Sequence, residues 1–174
     1  MIASLAWPDA LRAALACGER AVLVAVAGAA GSTPRESGVA MAVTRDRIAG
    51  TIGGGHLEYE AMRLAREALV GANAGPPAHW LVRFPLSARL GQCCGGVATL
   101  AFAVVDASTA PWLDGAAALA RASEPFAVVG RLGHGDAVAA RLLVTAGNAV
   151  GTLGEVRLDA AAVAEARARL AKRP

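Results

Sequence analysis

Residues 43–69 read VTRDRIAGTIGGGHLEYEAMRLAREAL, and residues 144–170 read VTAGNAVGTLGEVRLDAAAVAEARARL. Laid on each other at a shift of 101 residues, without gaps, they are identical at ten of 27 positions. Val43, Thr44, Gly50, Thr51, Gly53, Leu57, Ala61, Ala65, Arg66 and Leu69 recur as Val144, Thr145, Gly151, Thr152, Gly154, Leu158, Ala162, Ala166, Arg167 and Leu170. The chain is rich in alanine, which inflates matches at Ala positions, but the Val-Thr and Gly-Thr-x-Gly matches owe nothing to that bias. Two copies at so long a period do not make a solenoid. They predict one α/β domain of two pseudo-symmetric β-β-β-α repeats, about residues 21–71 and 125–172, around a mixed sheet with a central cysteine-loop insertion.

The flanking segments fit that frame. Pro8 to Gly18 reads as a short first helix, and the apolar run Ala21–Ala27 as a strand buried on both faces. Val39–Thr44 and Arg47–Ile52 read as two more strands, followed by a helix over His56–Val70. In that helix Leu57, Ala61, Leu64, Ala65 and Ala68 share one face, and Gly71 stands where a helix-ending glycine is expected. Strands at Trp80–Pro85 and Val97–Val105 flank the cysteine loop, and a helix is expected over Pro111–Ala122. The second repeat supplies strands at Pro125–Gly130, Ala137–Thr145 and Ala149–Leu153, then a helix at Asp159–Lys172.

Composition narrows the function classes. The chain has 174 residues, 55% of them hydrophobic, 18% charged, three cysteines and a formal charge of +3. That is enough for one packed domain, and too few cysteines for a secretory disulfide framework. No run reaches the roughly 20 apolar residues that a bilayer span needs. Charges at Asp9, Arg12, Glu19 and Arg20 interrupt any signal-peptide core, so a cytoplasmic location is expected. The arginines are scattered and aromatics make up only 4%, so no stripe tracks a nucleic-acid backbone.

The repeat also separates scaffold from chemistry, because what both copies keep serves the fold. The first copy alone carries Gly31-Ser32-Thr33-Pro34-Arg35 after its first strand and Gly54-Gly55-His56 at its helix start. A glycine run opening a helix presents backbone N–H groups and the positive end of the helix dipole, a cradle for phosphate. The same run serves equally as a tight strand-to-helix turn. His56 would sit at the helix N-terminus as a neutral hydrogen-bonding imidazole or as a cap. Glu58 is a dipole partner or, in the sharper reading, a functional carboxylate. Arg35 offers a planar fork suited to phosphate. Gly91-Gln92-Cys93-Cys94-Gly95-Gly96 is the least ordinary stretch. Adjacent cysteines match zinc spacing poorly, but flanking glycines permit a sharp loop where a thiolate meets a soft metal or sulfur. Two small buried hydrophobes are the plain alternative.

GSTPRESG, GTIGGGHLE and GQCCGG, in that order behind a buried strand, resemble the N-terminal domain of the XdhC/CoxI family, accessory proteins of xanthine dehydrogenase and carbon monoxide dehydrogenase. The resemblance spans nearly all of residues 5–172. It implies a maturation chaperone, not an enzyme, that binds molybdenum cofactor (molybdopterin, in mono- or dinucleotide form). Its partners would be a cysteine desulfurase and a molybdenum hydroxylase apo-enzyme, and the repeat leaves a homodimer open. The shared motif positions are Gly31–Arg35, Gly53–Glu58 and Gln92–Gly96, with Cys93 and Cys94 as candidate molybdenum ligands. Many members continue into a Rossmann-like C-terminal domain, which is expected to be absent here. The residues leave open a thiol-dependent sulfurtransferase or persulfide carrier, a nucleotide-binding module, and a pure docking subunit.

Overall fold

The computed structural model describes residues 6–31, 35–70, 79–86, 96–107, 112–131 and 140–172. Its backbone contacts divide into two compact units, residues 1–106 and 107–174.

The first unit runs α1 (Ala6–Ala16), β1 (Ala21–Ala30), β2 (Ala40–Val43), β3 (Ile48–Gly50), α2 (Gly55–Val70), β4 (His79–Pro85) and β5 (Val97–Val105). Its five strands form one sheet in the order β3-β2-β1-β5-β4, and every neighbouring pair is antiparallel. β1 is the central strand, which is why Ala21 to Val24 are buried without alternation. The strand is longer than its apolar run. Past an irregularity between Val26 and Gly28 it continues to Ala30, pairing with Val97–Thr99 of β5. Alanine and glycine have little intrinsic preference for strands, so the ladder to β5 holds this extension.

Alternation then assigns the faces. Val22, Val24 and Val26 of β1, Met41 and Val43 of β2, and Leu100, Phe102 and Val104 of β5 form one cluster with Leu57, Ala61, Ala65 and Leu69 of α2. The two alanines allow the helix axis to approach the strands closely. Trp80 stacks on Phe102 with ring centroids 4.8 Å apart and planes 9° from parallel, closing the core on the β4 side. Ala21 and Leu23 point the other way, and α1 packs on β1, β2 and β3.

The second unit runs α3 (Leu113–Arg121), β6 (Ala127–Gly130), β7 (Arg141–Val144), β8 (Ala149–Thr152) and α4 (Val156–Ala171). Its three strands form a separate antiparallel sheet in the order β6-β7-β8. Leu142, Val144, Leu153 and Ala166 make the core beneath α4. On the other face, Gly115 of α3 admits Leu143, whose Cδ2 lies 2.7 Å from where a Cβ would stand.

The expected single mixed sheet is therefore corrected to two sheets, both antiparallel throughout their described strands. The cause is connection length. β1, β2 and β3 follow one another, and β2 and β3 meet through a four-residue hairpin, whereas a parallel neighbour requires a long crossover. α2 does supply such a crossover, but β5 pairs between β1 and β4, so β3 and β4 end at opposite edges. α4 begins at Val156, earlier than the expected Asp159, for a reason given below. The expected strand start at Ala137 and most of the cysteine loop lie outside the described residues.

Candidate functional site

The recurring threonines and glycines have structural explanations, and these decide which motif groups remain for a ligand. Thr44 and Thr145 each close a hairpin. Their backbone N–H groups donate to the carbonyls of Arg47 and Asn148 at 2.9 Å, and their Oγ1 atoms accept from the N–H of the same residues at 2.9 and 3.0 Å. Gly50 and Gly151 pair with Met41 and Leu142, at φ of +84° and +103°. A Cβ at Gly50 would stand 2.6 Å from the Ala40 carbonyl oxygen, and one at Gly151 would meet the Arg141 carbonyl oxygen closer still. Only glycine fits either place.

The Thr and second Gly of Gly-Thr-x-Gly belong to a staple between strand and helix. Thr51 Oγ1 donates to Glu58 Oε2 at 2.5 Å, and the same oxygen accepts from the N–H groups of Ile52 (3.0 Å) and Gly54 (3.1 Å). The Gly53 N–H donates to Thr51 Oγ1 at 3.1 Å. In the second unit Thr152 Oγ1 donates to Asp159 Oδ2 at 2.7 Å, the Leu153 N–H to Asp159 Oδ1 at 2.6 Å, and the Gly154 N–H to Thr152 Oγ1 at 2.9 Å. The acid thus sits at the same offset in both units, one methylene shorter in the second. It lies in the first turn of its helix, where its charge complements the dipole and helps to start α4 at Val156.

This changes the reading of the glycine run. Gly53, Gly54 and Gly55 all have positive φ, at +129°, +76° and +65°. In the second unit only Gly154 does, and Glu155 is extended at φ −147°. The first unit's left-handed path turns the Gly54 N–H inward onto Glu58. The expected anion cradle therefore has three of its N–H groups, on Ile52, Gly53 and Gly54, engaged internally. Glu58 itself acts as part of the scaffold, and its negative charge offsets the helix end that an anion would seek. Helix geometry leaves the first-turn N–H groups of Gly55, His56 and Leu57 without i−4 carbonyl partners. Space is open in front of Gly54, where a Cβ would meet nothing within 4 Å.

His56 is half-exposed. Its Nε2 lies 3.9 Å from Glu60 Oε1, and its ring centroid is 6.0 Å from that of Tyr59. Gly31 follows the last residue of β1 at φ +72°, and Arg35 is exposed. Gly96 is buried just before β5, its carbonyl accepting from the Leu86 N–H at 2.9 Å. Ser32, Thr33, Pro34, Gln92, Cys93, Cys94 and Gly95 lie outside the described residues.

Strand direction relates the three motif segments. In an all-antiparallel order β3-β2-β1-β5-β4, the C-terminal ends of β1, β3 and β4 share one end of the sheet with the N-terminal ends of β2 and β5. Segment 31–39 leaves β1 there, segment 51–54 leaves β3 there, and segment 86–96 joins β4 to β5 there. The N-terminus of α2 opens at the same end. None of this spacing is visible along the chain.

The XdhC and CoxI family model matches residues 14–84, which hold the buried central strand, the 31–35 segment and the Gly53–Glu58 staple. Over that segment the chain is similar to the XdhC and CoxI family. Most of the XdhC/CoxI match falls in the first unit's sheet and α2, and it stops before the cysteine pair. The chain is also similar in fold to a Bacillus halodurans protein, solved by crystallography and described as a xanthine dehydrogenase. The TM-score is 0.61 at 18% identity, covering 85% of this chain and 45% of that one. The chain thus spans less than half the length of that neighbour. No curated protein matches the sequence.

Among the described residues no group of three or more His, Cys, Asp or Glu could hold a metal, and no helix is long and apolar enough to cross a membrane. Two cavities of about 530 Å³ each run along the flanks of α2 and α4.

Proposed function

We propose that this protein is an accessory factor that binds molybdenum cofactor at the motif end of the five-stranded sheet and serves the maturation of a molybdenum hydroxylase. The observation that carries the reading is directional: three segments far apart in sequence leave the sheet at one end, within a unit that matches the XdhC and CoxI family. The cofactor supplies a phosphate-bearing tail and a soft molybdenum–dithiolene centre. The first-turn N–H groups of Gly55, His56 and Leu57, the open space at Gly54 and the Arg35 fork fit the tail. Cys93 or Cys94 would supply the soft ligand for molybdenum, Gln92 a hydrogen bond to an oxo or the pterin, and Gly31, Ser32, Thr33 and Pro34 further motif contacts. In this reading the protein carries cofactor and does not catalyse a reaction. It receives sulfur through a cysteine desulfurase in the cytoplasm and hands the cofactor to the apo-hydroxylase. The two units descend from one duplicated β-β-β-α element, of which only the first kept the binding segments.

The test is the molybdenum and pterin content of the chain purified from a cofactor-competent host. Wild type is expected to retain both, and Cys93→Ala with Cys94→Ala to lose molybdenum. Unchanged occupancy in the double variant refutes the thiol assignment, and an empty wild type refutes the reading.

A second reading draws on the staple. With Ile52, Gly53 and Gly54 already donating internally, the thiols become the dominant chemistry, as in a persulfide-carrying sulfurtransferase. A persulfide on Cys93 or Cys94 after incubation with a desulfurase, without bound pterin, selects this alternative.

A further inference from the structure

The two flank cavities share four positions in the repeat frame, although only the one along α4 also touches described strand residues, Leu142, Ala149 and Gly151. Along α2 the described lining is Tyr59, Met62, Arg63, Arg66, Glu67 and Val70. Along α4, Ala160, Val163, Ala164 and Arg167 stand at the positions of Tyr59, Met62, Arg63 and Arg66. Arg167 has an acceptor, its Nε donating to the Thr145 carbonyl at 3.3 Å. The Nε of Arg66 is buried and has no acceptor among the described residues. A buried guanidinium donor without an acceptor is costly, and a carboxylate is the group whose geometry best matches the fork. Arg63 is not available for that part. Glu60 Oε2 lies 3.0 Å from its Nη2, and Glu67 Oε1 lies 2.6 Å from its Nη1. These contacts raise the Arg63 pKa, through hydrogen bonds to Glu60 and Glu67. The cleft therefore offers an arginine whose Nε has no described acceptor, beside Glu67, which suits a single negative charge and disfavours a dianion. Its remaining described wall is apolar, with Tyr59 and Val70 58% and 66% exposed. A volume of about 530 Å³ lies within the range of small-molecule sites.

We propose that the cleft along α2 binds an organic monocarboxylate with an apolar body, its carboxylate on Arg66 and its body against Tyr59, Met62 and Val70. The proposal rests on Arg66 and the flank of α2 and does not depend on the molybdenum reading. The second unit, whose arginine is already bound and whose cleft carries alanine for Tyr59, has lost it or never had it.

The full chain, labelled with ¹⁵N, is titrated with 4-phenylbutyrate while the arginine Nε–Hε signals are followed. The Arg66 signal, assigned by its absence in Arg66→Lys, is expected to shift saturably with a dissociation constant in the millimolar range. Arg66→Lys, followed through the backbone amides of α2, is expected to bind roughly tenfold or more weakly, because an ammonium cannot reproduce the fork. Tyr59→Ala, at an exposed position that the fold does not need, is expected to weaken binding about threefold or more, as a lost aromatic wall should. Arg167→Gln is expected to leave the titration unchanged. Absence of saturation up to about 20 mM probe, a range that still detects affinities near −2 to −3 kcal/mol, overturns the proposal. Affinity insensitive to both Arg66→Lys and Tyr59→Ala overturns it as well.

Discussion

Replacing Glu58 with alanine removes one oxygen that holds three donors, and the consequences can be worked from the geometry. The Ile52 and Gly54 N–H groups lose their acceptor together, and Thr51 loses a hydroxyl contact at 2.5 Å. An unsatisfied buried N–H costs about 1–3 kcal/mol. Ile52 is fully buried and should pay near the upper end. Gly54 faces open space, where water can replace the carboxylate, and the Thr51 hydroxyl can rotate to solvent. The helix also loses a favourable first-turn charge, worth about 0.3–1 kcal/mol. The sum is roughly 3 kcal/mol against the first unit, or about 12–24 °C at the scaling usual for a unit of about a hundred residues. Because the chain has two units, the readout must be local: amide exchange of α2 and β1 follows the opening of the first unit alone. Asp159→Ala removes two donors from a more exposed staple and is expected to cost about half as much, seen on α4 and β7. A Glu58→Ala loss below about 0.5 kcal/mol, or one smaller than that of Asp159→Ala, would falsify the staple argument.

The other predictions follow from the same elements. Gly50→Ala should destabilise the first unit by about 2–4 kcal/mol, since left-handed φ and a carbonyl clash combine, whereas Gly54→Ala should cost only about 1–2 kcal/mol for its φ. Chemical unfolding of the two variants checks the order, and equal effects would contradict the close approach at Ala40. Arg66→Lys and Tyr59→Ala should weaken 4-phenylbutyrate binding in the α2 cleft, as set out above. Glu165 is held below the ordinary glutamate value of 4.5, by its hydrogen bond from Arg169 and then by that residue's charge. A depressed carboxylate stabilises the fold above its unfolded pKa and loses that contribution as pH falls through the folded one, so the effect fades below about pH 4.5. Carbon-detected titration of Glu165 should give a midpoint below that of the same residue in Arg169→Ala; coincident midpoints would remove the pair from the account.

How much of this was legible in the sequence depended on the range of the interactions involved. The central strand announced itself through an unbroken apolar run, because burial on both faces leaves no polar alternation. The core face of α2 was readable from the spacing of Leu57, Ala61 and Ala65, since helical period is local. Leu69 joined that face in place of Ala68, which is only partly buried. The recurrence of Gly-Thr-x-Gly marked a real constraint, yet its meaning was not readable. Glu58 and Asp159 do stand at one offset in both copies, and pairing them with Thr51 and Thr152 would have exposed the staple. Residue identity hides the pair, because Glu and Asp count as different.

The amino-acid sequence by itself determined the repeated strand-turn-strand-helix pattern, the hairpin threonines and the positions where only glycine is tolerated. Those follow from sterics and hydrogen bonds within some twenty residues. Tertiary structure decided that the strands form two antiparallel sheets, that β5 pairs between β1 and β4, and that three motif segments leave the first sheet at one end. It also decided that Glu58 occupies donors which a glycine-rich helix start would otherwise offer to an anion. Strand order and the fate of individual N–H groups depend on partners distant in the chain, and no local period encodes them.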